Sequence, residues 1–344
     1  MTISFVVPAY NRAHVIGRCL TSIFGCSPEF VAEVVVVDDG SKDDLDSVVC
    51  AWQQKMPGKI VFLRTKRNMG VSCARNLAFP HLTGDYVWFV DSDDVVFSSG
   101  VTRMMRLVDR DKPDIYRFSW LRVRGEGRGE ESPAGGDAFL PGPRSFDMKR
   151  CSGGELKILY RRSLLCNALY KRSLLSSDVV FRNGLSNGED RLFATEALIR
   201  AKTVLLDENN VAYGYTVTSG SASDVPTAKM FRNYIRASCE LVSLFIRAST
   251  KDRRWRSVLE AEIWNYYPRI LCPFGKRTFH SGWFRLFRAG YHRIFVDNPS
   301  RNGVSRVISW LVWTSKSEWI MRAESRSHGY FSGALKRLSH GFHS

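Results

Sequence analysis

Over its first hundred residues the chain alternates short apolar runs with segments whose apolar residues recur at helical spacing, a pattern few architectures can satisfy. ISFVVP (3–8), EVVVVDDGS (33–41), KIVFLRT (59–65) and YVWFVD (86–91) read as strands, and AHVIGRCLTSIFG (13–25), DDLDSVVCAWQQK (43–55) and VSCARNLAFPHL (71–82) as helices. Acids open the second helix, where the backbone dipole favours them. Repeated β-α units of this kind build a mostly parallel sheet flanked by helices, with right-handed crossovers that bring the strand C-termini to one edge. Ligands of open α/β sheets bind at that edge, so Tyr10, Asp38, Asp39 and the acids around Asp91 should gather there.

The fourth strand ends in three aspartates, Asp91, Asp93 and Asp94. Strand formers buried on both faces make carboxylates costly at that point unless a cation neutralises them. Oxygens spaced two residues apart suit a magnesium or manganese ion that bridges the phosphate oxygens of a ligand. The same acids can instead cap the following helix. DSDDVV also fits the D-x-D-x-V nucleophile motif of haloacid-dehalogenase-like phosphatases, but that motif normally opens its domain and here ninety residues of β-α pattern precede it.

The rest of the chain is less regular. RGEGRGEESPAGGDAFLPGPR, within 124–145, is rich in Gly, Pro and charge and reads as a loop or insertion. Beyond about 225 the pattern is helical, as in YIRASCELVSLFIR (234–247). The net charge of +16 is uneven: residues 1–220 carry 29 Lys and Arg against 26 Asp and Glu, and residues 221–344 carry 21 against 8. Such a basic tail points to a polyanionic surface or to a solvated basic face. No nucleic-acid-binding module accompanies it, so no nucleic-acid partner is expected.

Eight cysteines show no C-x-x-C or metal-ligand spacing and read as reduced thiols of a cytosolic protein. Seven histidines show no paired spacing, and PFGKRT (273–278) lacks the glycine that a phosphate loop needs five residues before its Gly-Lys pair. Neither a secretory leader nor a membrane-spanning apolar run is apparent, which leads to the expectation of a cytoplasmic protein, free or peripheral on the cytoplasmic face of the membrane.

FVVPAYNR, VVVVDDGSKDD, KRNMGVSCARN and GDYVWFVDSDD, in this order and spacing, closely resemble the family 2 glycosyltransferases with the nucleotide-sugar-binding fold called GT-A. The likeness is specific over residues 3 to about 97, fair over 160–220 and absent beyond. It implies an α/β catalytic domain over 1–224, with a nucleotide-binding half to about 97 and an acceptor half over 98–224; the charge count and helical pattern make 225–344 a basic helical extension. It also implies an inverting, metal-dependent transfer from a nucleotide sugar, expected to be a UDP-sugar, to a saccharide or lipid-linked oligosaccharide in polysaccharide assembly. A protein that keeps the pocket but binds without turnover is the competing reading.

By the same resemblance Pro8, Tyr10 and Asp39 form the nucleoside pocket with Asp38 behind them, although Asp38 and Asp39 could equally start the turn at Gly40. Such a ligand needs an aromatic shelf, a base-edge acceptor and cationic cover for its phosphates, and Asp39 can accept the imide N–H of uracil. Arg75 is expected to reach ribose or diphosphate oxygens, or else to be a surface arginine paired with an acid. Asp93 is the principal metal ligand, Asp91 contacts ribose or metal-bound water, and Asp94 supports them. In NGEDRLF, Asp190 is the general base and Glu189 positions the acceptor or Arg191, although two acids also suit a helix start. Relatives often place a basic residue near the diphosphate where this chain has Thr216, Thr218 and Ser219, which leaves Lys229 or Arg232 as candidates.

In the tail, Val304, Val307, Ile308 and Leu311, then Phe331, Leu335, Leu338 and Phe342, fall at helical spacing with Lys, Arg and Trp beside them. That composition suits the interface of an anionic membrane surface, or a helix packed on the catalytic core.

Overall fold

A computed structural model describes residues 1–124, 130–131, 142–161, 165–175, 179–217 and 228–258. The strands are β1 (Ile3–Ala9), β2 (Val31–Asp38), β3 (Ile60–Arg64), β4 (Tyr86–Phe89), β5 (Val95–Val96), β6 (Ile115–Arg124), β7 (Glu130–Glu131), β8 (Arg144–Asp147), β9 (Ala168–Lys171) and β10 (Thr203–Val217). The helices are α1 (Ile16–Phe24), α2 (Leu45–Lys55), α3 (Val71–Ala78), α4 (Ser98–Asp111), α5 (Gly153–Arg161), α6 (Glu189–Arg200) and α7 (Ala228–Lys251).

All the strands join one sheet in the order β3-β2-β1-β4-β9-β6-β10-β5, with β7 beside β6 and β8 beside β10. The first four strands run parallel, as their β-α pattern requires. Beyond β4 the sheet is mixed: β9 is antiparallel to both β4 and β6, and β6 runs parallel to β10. The resulting α/β architecture carries β1, β2, β3, β4, β6 and β10 in one direction, so their C-terminal ends share an edge.

Alternation along β4 divides the core between the two faces of the sheet. Trp88 packs on Phe5 and Phe118, with ring centroids 5.5 and 5.1 Å away, beneath the apolar stripes of α1 (Ile16, Cys19, Leu20, Ile23) and α4 (Val101, Met104, Met105, Val108). Phe89 points to the other face, where it meets Phe181 and Phe193, which stack on each other at 4.1 Å. Such aromatic clusters contribute about 0.5–1.5 kcal/mol per pair beyond area burial. They also hold the strand end carrying the aspartates between two packed layers.

The helix expected over 71–82 ends at Ala78 and continues as a 3₁₀ turn over Phe79–His81, because Pro80 has no N–H to donate. The segment 86–91 is a strand only to Phe89. Helix α7 packs on α6, and residues 1–264 form one compact unit. The helices expected around 305–319 and 330–342 lie outside the described residues. Among the described residues no helix is long and apolar enough to cross a membrane, and Cys19, Cys26, Cys50, Cys73, Cys151 and Cys166 are free thiols.

Candidate active site

The loops that follow β1, β2 and β3 are tied to one another largely through their backbones. Asp39 N–H donates to Ala9 O (2.8 Å), Asn11 N–H to Ser41 Oγ (2.9 Å) and Lys42 N–H to Asn11 Oδ1 (2.8 Å). Asn11 takes a left-handed conformation (φ 53°), which its short polar side chain tolerates. Gly40 (φ 74°) lies so close to the third loop that a Cβ there would stand 2.7 Å from the Arg67 backbone.

Both aspartates of the second loop bond within this assembly. Asp38 accepts Ser41 N–H at 2.7 Å and faces Arg64 Nε at 3.2 Å. Asp39 Oδ1 accepts Met69 N–H (2.8 Å) and Thr65 Oγ1–H (3.0 Å), and its Oδ2 accepts Gly70 N–H (2.7 Å). Asp39 therefore binds the start of α3 to the end of β2. A carboxylate oxygen accepts two hydrogen bonds, so Oδ2 retains one for a further donor. Pro8 is buried in β1 opposite Val37, and Tyr10 stands 37% exposed at the end of that strand.

The three aspartates after β4 diverge. Asp94 turns inward: Tyr213 Oη–H donates to its Oδ2 and Thr216 N–H to its Oδ1 at 2.7 Å, and burial pushes its carboxyl up to about 8. Asp91 and Asp93 remain accessible, with side chains 44% and 26% exposed. Asp93 is raised above the ordinary carboxylate range by burial and by the charge of Asp91. Arg12, two residues beyond Tyr10, approaches Asp93 Oδ2 at 3.4 Å, and Arg18 donates to the Asp93 carbonyl (2.7 Å) and to Thr216 Oγ1 (2.6 Å).

Arg75 links the acid cluster to α6. Only 5% exposed, it donates from Nη2 to Asp91 Oδ1 (2.9 Å) and from Nη1 to Glu189 Oε1 (3.2 Å), with its guanidinium over the Phe181 ring. Arg75 thus pairs with two acids from a buried position, not at the surface. Burial pushes Glu189 up to about 7 against the pull of Arg75, and the neighbouring Asp190 adds to the rise. Glu189 and Asp190 form the first turn of α6, where the dipole favours acids, and Asp190 Oδ1 accepts Arg191 N–H at 2.7 Å. Arg191 donates to Tyr160 Oη and lies over its ring.

Asp91, Arg75, Glu189 and Asp190 line one cleft of about 380 Å³. The same cleft is lined by Trp120 and Arg122 from β6 and Tyr215 from β10, which the motif reading does not single out. The period-2 pattern of FSWLRV is their signal: Phe118, Trp120 and Arg122 alternate to one face. Arg12 escapes it too, although it sits in the AYNR that ends β1. Thr216 is buried beside Asp94, whereas Thr218, Ser219 and the side chains of Lys229 and Arg232 lie outside the described residues.

A divalent cation would find hard oxygen donors in Asp91 and Asp93, whose mutual repulsion it would relieve. Among the described residues no cluster of three or more His, Cys, Asp or Glu is shaped to hold an ion. The donor set fits an ion that completes its shell with water and phosphate oxygens.

A family model described as Glycosyl transferase family 2 matches residues 4–175, half of the chain. A poly(ribitol-phosphate) beta-glucosyltransferase of Bacillus spizizenii is 28% identical over 209 residues, which is 59% of this chain and 30% of that protein. The poly(ribitol-phosphate) beta-N-acetylglucosaminyltransferase TarS of Staphylococcus aureus is 28% identical over 225 residues, 64% of this chain and 36% of that one. The chain thus spans about a third of the length of these relatives. The solved structure of S. aureus TarS 1–349 in complex with UDP-GlcNAc has a TM-score of 0.64 at 22% identity, covering 88% of this chain and 82% of that one. That likeness is one of fold, and the expected GT-A architecture is the one observed.

Proposed function

Because the chain belongs to glycosyl transferase family 2, we propose that it moves a sugar from a UDP-linked donor to a saccharide acceptor, with inversion at the anomeric carbon. The observation that carries this reading is the meeting of Asp91, Glu189 and Asp190 in one cleft, with two of these acids held by a single buried arginine.

Tyr10 offers its exposed ring as a shelf for the base, and Asp39 Oδ2 has the acceptor capacity that an imide N–H requires. Arg12 supplies positive charge beside Asp93 where the diphosphate would lie. Asp91 and Asp93 would hold a magnesium or manganese ion, which when bound offsets the charge that builds on the departing diphosphate. Asp190 takes the proton of the acceptor hydroxyl as that oxygen attacks the anomeric carbon from the side opposite the diphosphate. Arg75 fixes Asp91 and Glu189, so donor and base keep a common geometry.

The acceptor in this reading is a growing polysaccharide, lipid-linked, and the relatives named for poly(ribitol-phosphate) fit that class. The basic stretch 221–344 would dock the enzyme on an anionic cytoplasmic leaflet. Flotation with anionic liposomes tests the docking: the full chain should float and a truncation after Trp264 should not, and equal recovery of both removes the idea.

The catalytic reading is tested by UDP release from UDP-glucose and UDP-GlcNAc with and without manganese. Asp93→Ala should lose metal-dependent UDP binding. A wild-type chain that neither binds UDP nor releases it ends the proposal.

A further inference from the structure

The cleft holds an aromatic pair that the donor does not need. Parallel pairing sets Tyr213 opposite Trp120 and Tyr215 opposite Arg122, so these four side chains share one face of the sheet. Along that face the aromatic stripe begins in the core, where Trp88, Phe118 and Tyr213 are sealed. It then emerges: Tyr215, two residues beyond Tyr213, is 40% exposed and meets Trp120 edge-on with centroids 5.9 Å apart. Arg122 is exposed beside them and lines the same cleft as Asp190.

The turn after β4 places this pair relative to the donor. Tyr10 follows β1 and Asp91 follows β4, its neighbour, so in the transferase reading a nucleotide sugar laid from Tyr10 across Asp93 would carry its hexose toward Asp91 and Glu189. The turn that carries the acids leaves β4 for β10, where Thr216 N–H donates to Asp94 Oδ1 at 2.7 Å and β5 pairs with Tyr213 and Gly214, so Tyr215 adjoins that contact and Trp120 lies beside Tyr215. Trp120, Arg122 and Tyr215 line the same cleft as Asp190, which in the transferase reading must meet the acceptor hydroxyl there. A saccharide presents C–H groups on its ring face and hydroxyls at its edge, which suits an amphipathic aromatic surface. An exposed guanidinium at the same place matches the planar, bidentate geometry of a phosphate.

We propose that Trp120, Tyr215 and Arg122 form the acceptor subsite, and that the acceptor it takes is a saccharide ring carrying a phosphate beside it. The inference rests on the transferase reading above and extends it from donor to acceptor. Trp120 and Tyr215 stack the ring whose hydroxyl faces Asp190, and Arg122 grips the phosphate, which gives the site its preference for anionic glycans.

The test uses the full chain with UDP and a panel of neutral hexose and N-acetylhexosamine oligosaccharides, alongside the same oligosaccharides carrying a terminal phosphate. Wild type should retain phosphate-bearing glycans at least tenfold better than their neutral counterparts, with the preference shrinking as salt rises. Arg122→Ala should abolish the preference without weakening neutral glycans. Trp120→Ala and Tyr215→Ala should weaken both sets at least fivefold, with Trp120→Phe and Tyr215→Phe restoring most of the loss. The dissociation constant for UDP, measured on every variant, should stay within twofold of wild type. Failure to bind UDP would overturn the transferase reading itself. Normal UDP binding with no glycan retained, or with glycan retention indifferent to all three side chains, would overturn the subsite alone. A parallel loss of UDP affinity in the variants would assign these side chains to the donor and overturn the subsite as well.

Discussion

The proposed nucleoside and acceptor ends of the site are built by different means. At the nucleoside end, loops after adjacent parallel strands bind one another through backbone N–H groups and the carboxylates of Asp38 and Asp39, so position is fixed by short, directional bonds. At the acceptor end, Trp120, Arg122 and Tyr215 project from the strands β6 and β10, and their place is set by strand register and side-chain packing. The first construction suits a ligand with invariant parts, a base and a diphosphate. The second leaves side chains free to vary with the acceptor while the backbone stays in place. Arg75, reaching from α3 to Asp91 and Glu189, is what joins the two.

Replacing the proposed base separates chemistry from binding most sharply. Asp190→Asn keeps the shape and the acceptance of Arg191 N–H but removes the basicity, so transfer should fall about 10²–10⁴-fold. UDP affinity, which the reading assigns to the loops after β1 and β2, should hold. Steady-state UDP release with titration of UDP checks both, and normal turnover by the variant would move the base elsewhere.

The same contrast explains what could be read before the fold was known. Each nucleoside-end motif lies inside one β-α unit, where strand, turn and helix start are neighbours in sequence. VVVVDDGS alone therefore announces a buried strand, two acids and a glycine turn. That Asp39 would hold the N–H groups of Met69 and Gly70, thirty residues away, was not legible, because the bond depends on how two loops pack. Nor was the inward turn of Asp94, which needs Tyr213 from a strand more than a hundred residues later. The partnership of Trp120 with Tyr215 depends on β6 pairing with β10 across ninety residues of chain, and no local pattern encodes that register.

Glu189 should make stability fall with pH from the acceptor side of the joint. Burial raises its folded pKa to about 7 from the ordinary 4.5, so between those values the folded protein keeps a proton that the unfolded chain has released. The associated stability is complete below 4.5 and lost as pH rises through 7. In Glu189→Gln this fall should be missing, whereas any slope due to Asp94, raised to about 8, should persist. Urea unfolding of both proteins from pH 4.5 to 8 measures the difference, and identical slopes would show that Glu189 titrates alike in both states.

At the nucleoside end, Asp39→Ala strips the N–H groups of Met69 and Gly70 of their acceptor, while the Thr65 hydroxyl keeps the Arg67 carbonyl at 2.7 Å. Met69 is 47% exposed, so water replaces part of what is lost, and the expected destabilisation is about 2 kcal/mol. UDP affinity should fall at least tenfold in the same variant. Loss of stability with undiminished UDP affinity would restrict Asp39 to tying the loops.

The smallest effect is the most direct probe of the difference in construction. Both Gly40 and Gly214 would carry a Cβ into a sub-van-der-Waals contact, at 2.7 Å from the Arg67 backbone in one case and 2.6 Å from Val95 Cγ2 in the other. At Gly214 the crowding atoms end the side chains of Val95, Val123 and Phe97, which can turn aside, and the backbone needs no left-handed φ. At Gly40 the obstacle is main chain held by its own hydrogen bonds, and φ is 74°, a conformation that costs an L side chain about 1 kcal/mol or more. Gly40→Ala should therefore be the more destabilising of the two by about 1 kcal/mol, since the overpacking cost is otherwise similar. Paired urea titrations give that difference directly. Equal losses would mean that the loop assembly yields as readily as side-chain packing, and the distinction between a bond-fixed donor end and a packing-fixed acceptor end would no longer hold.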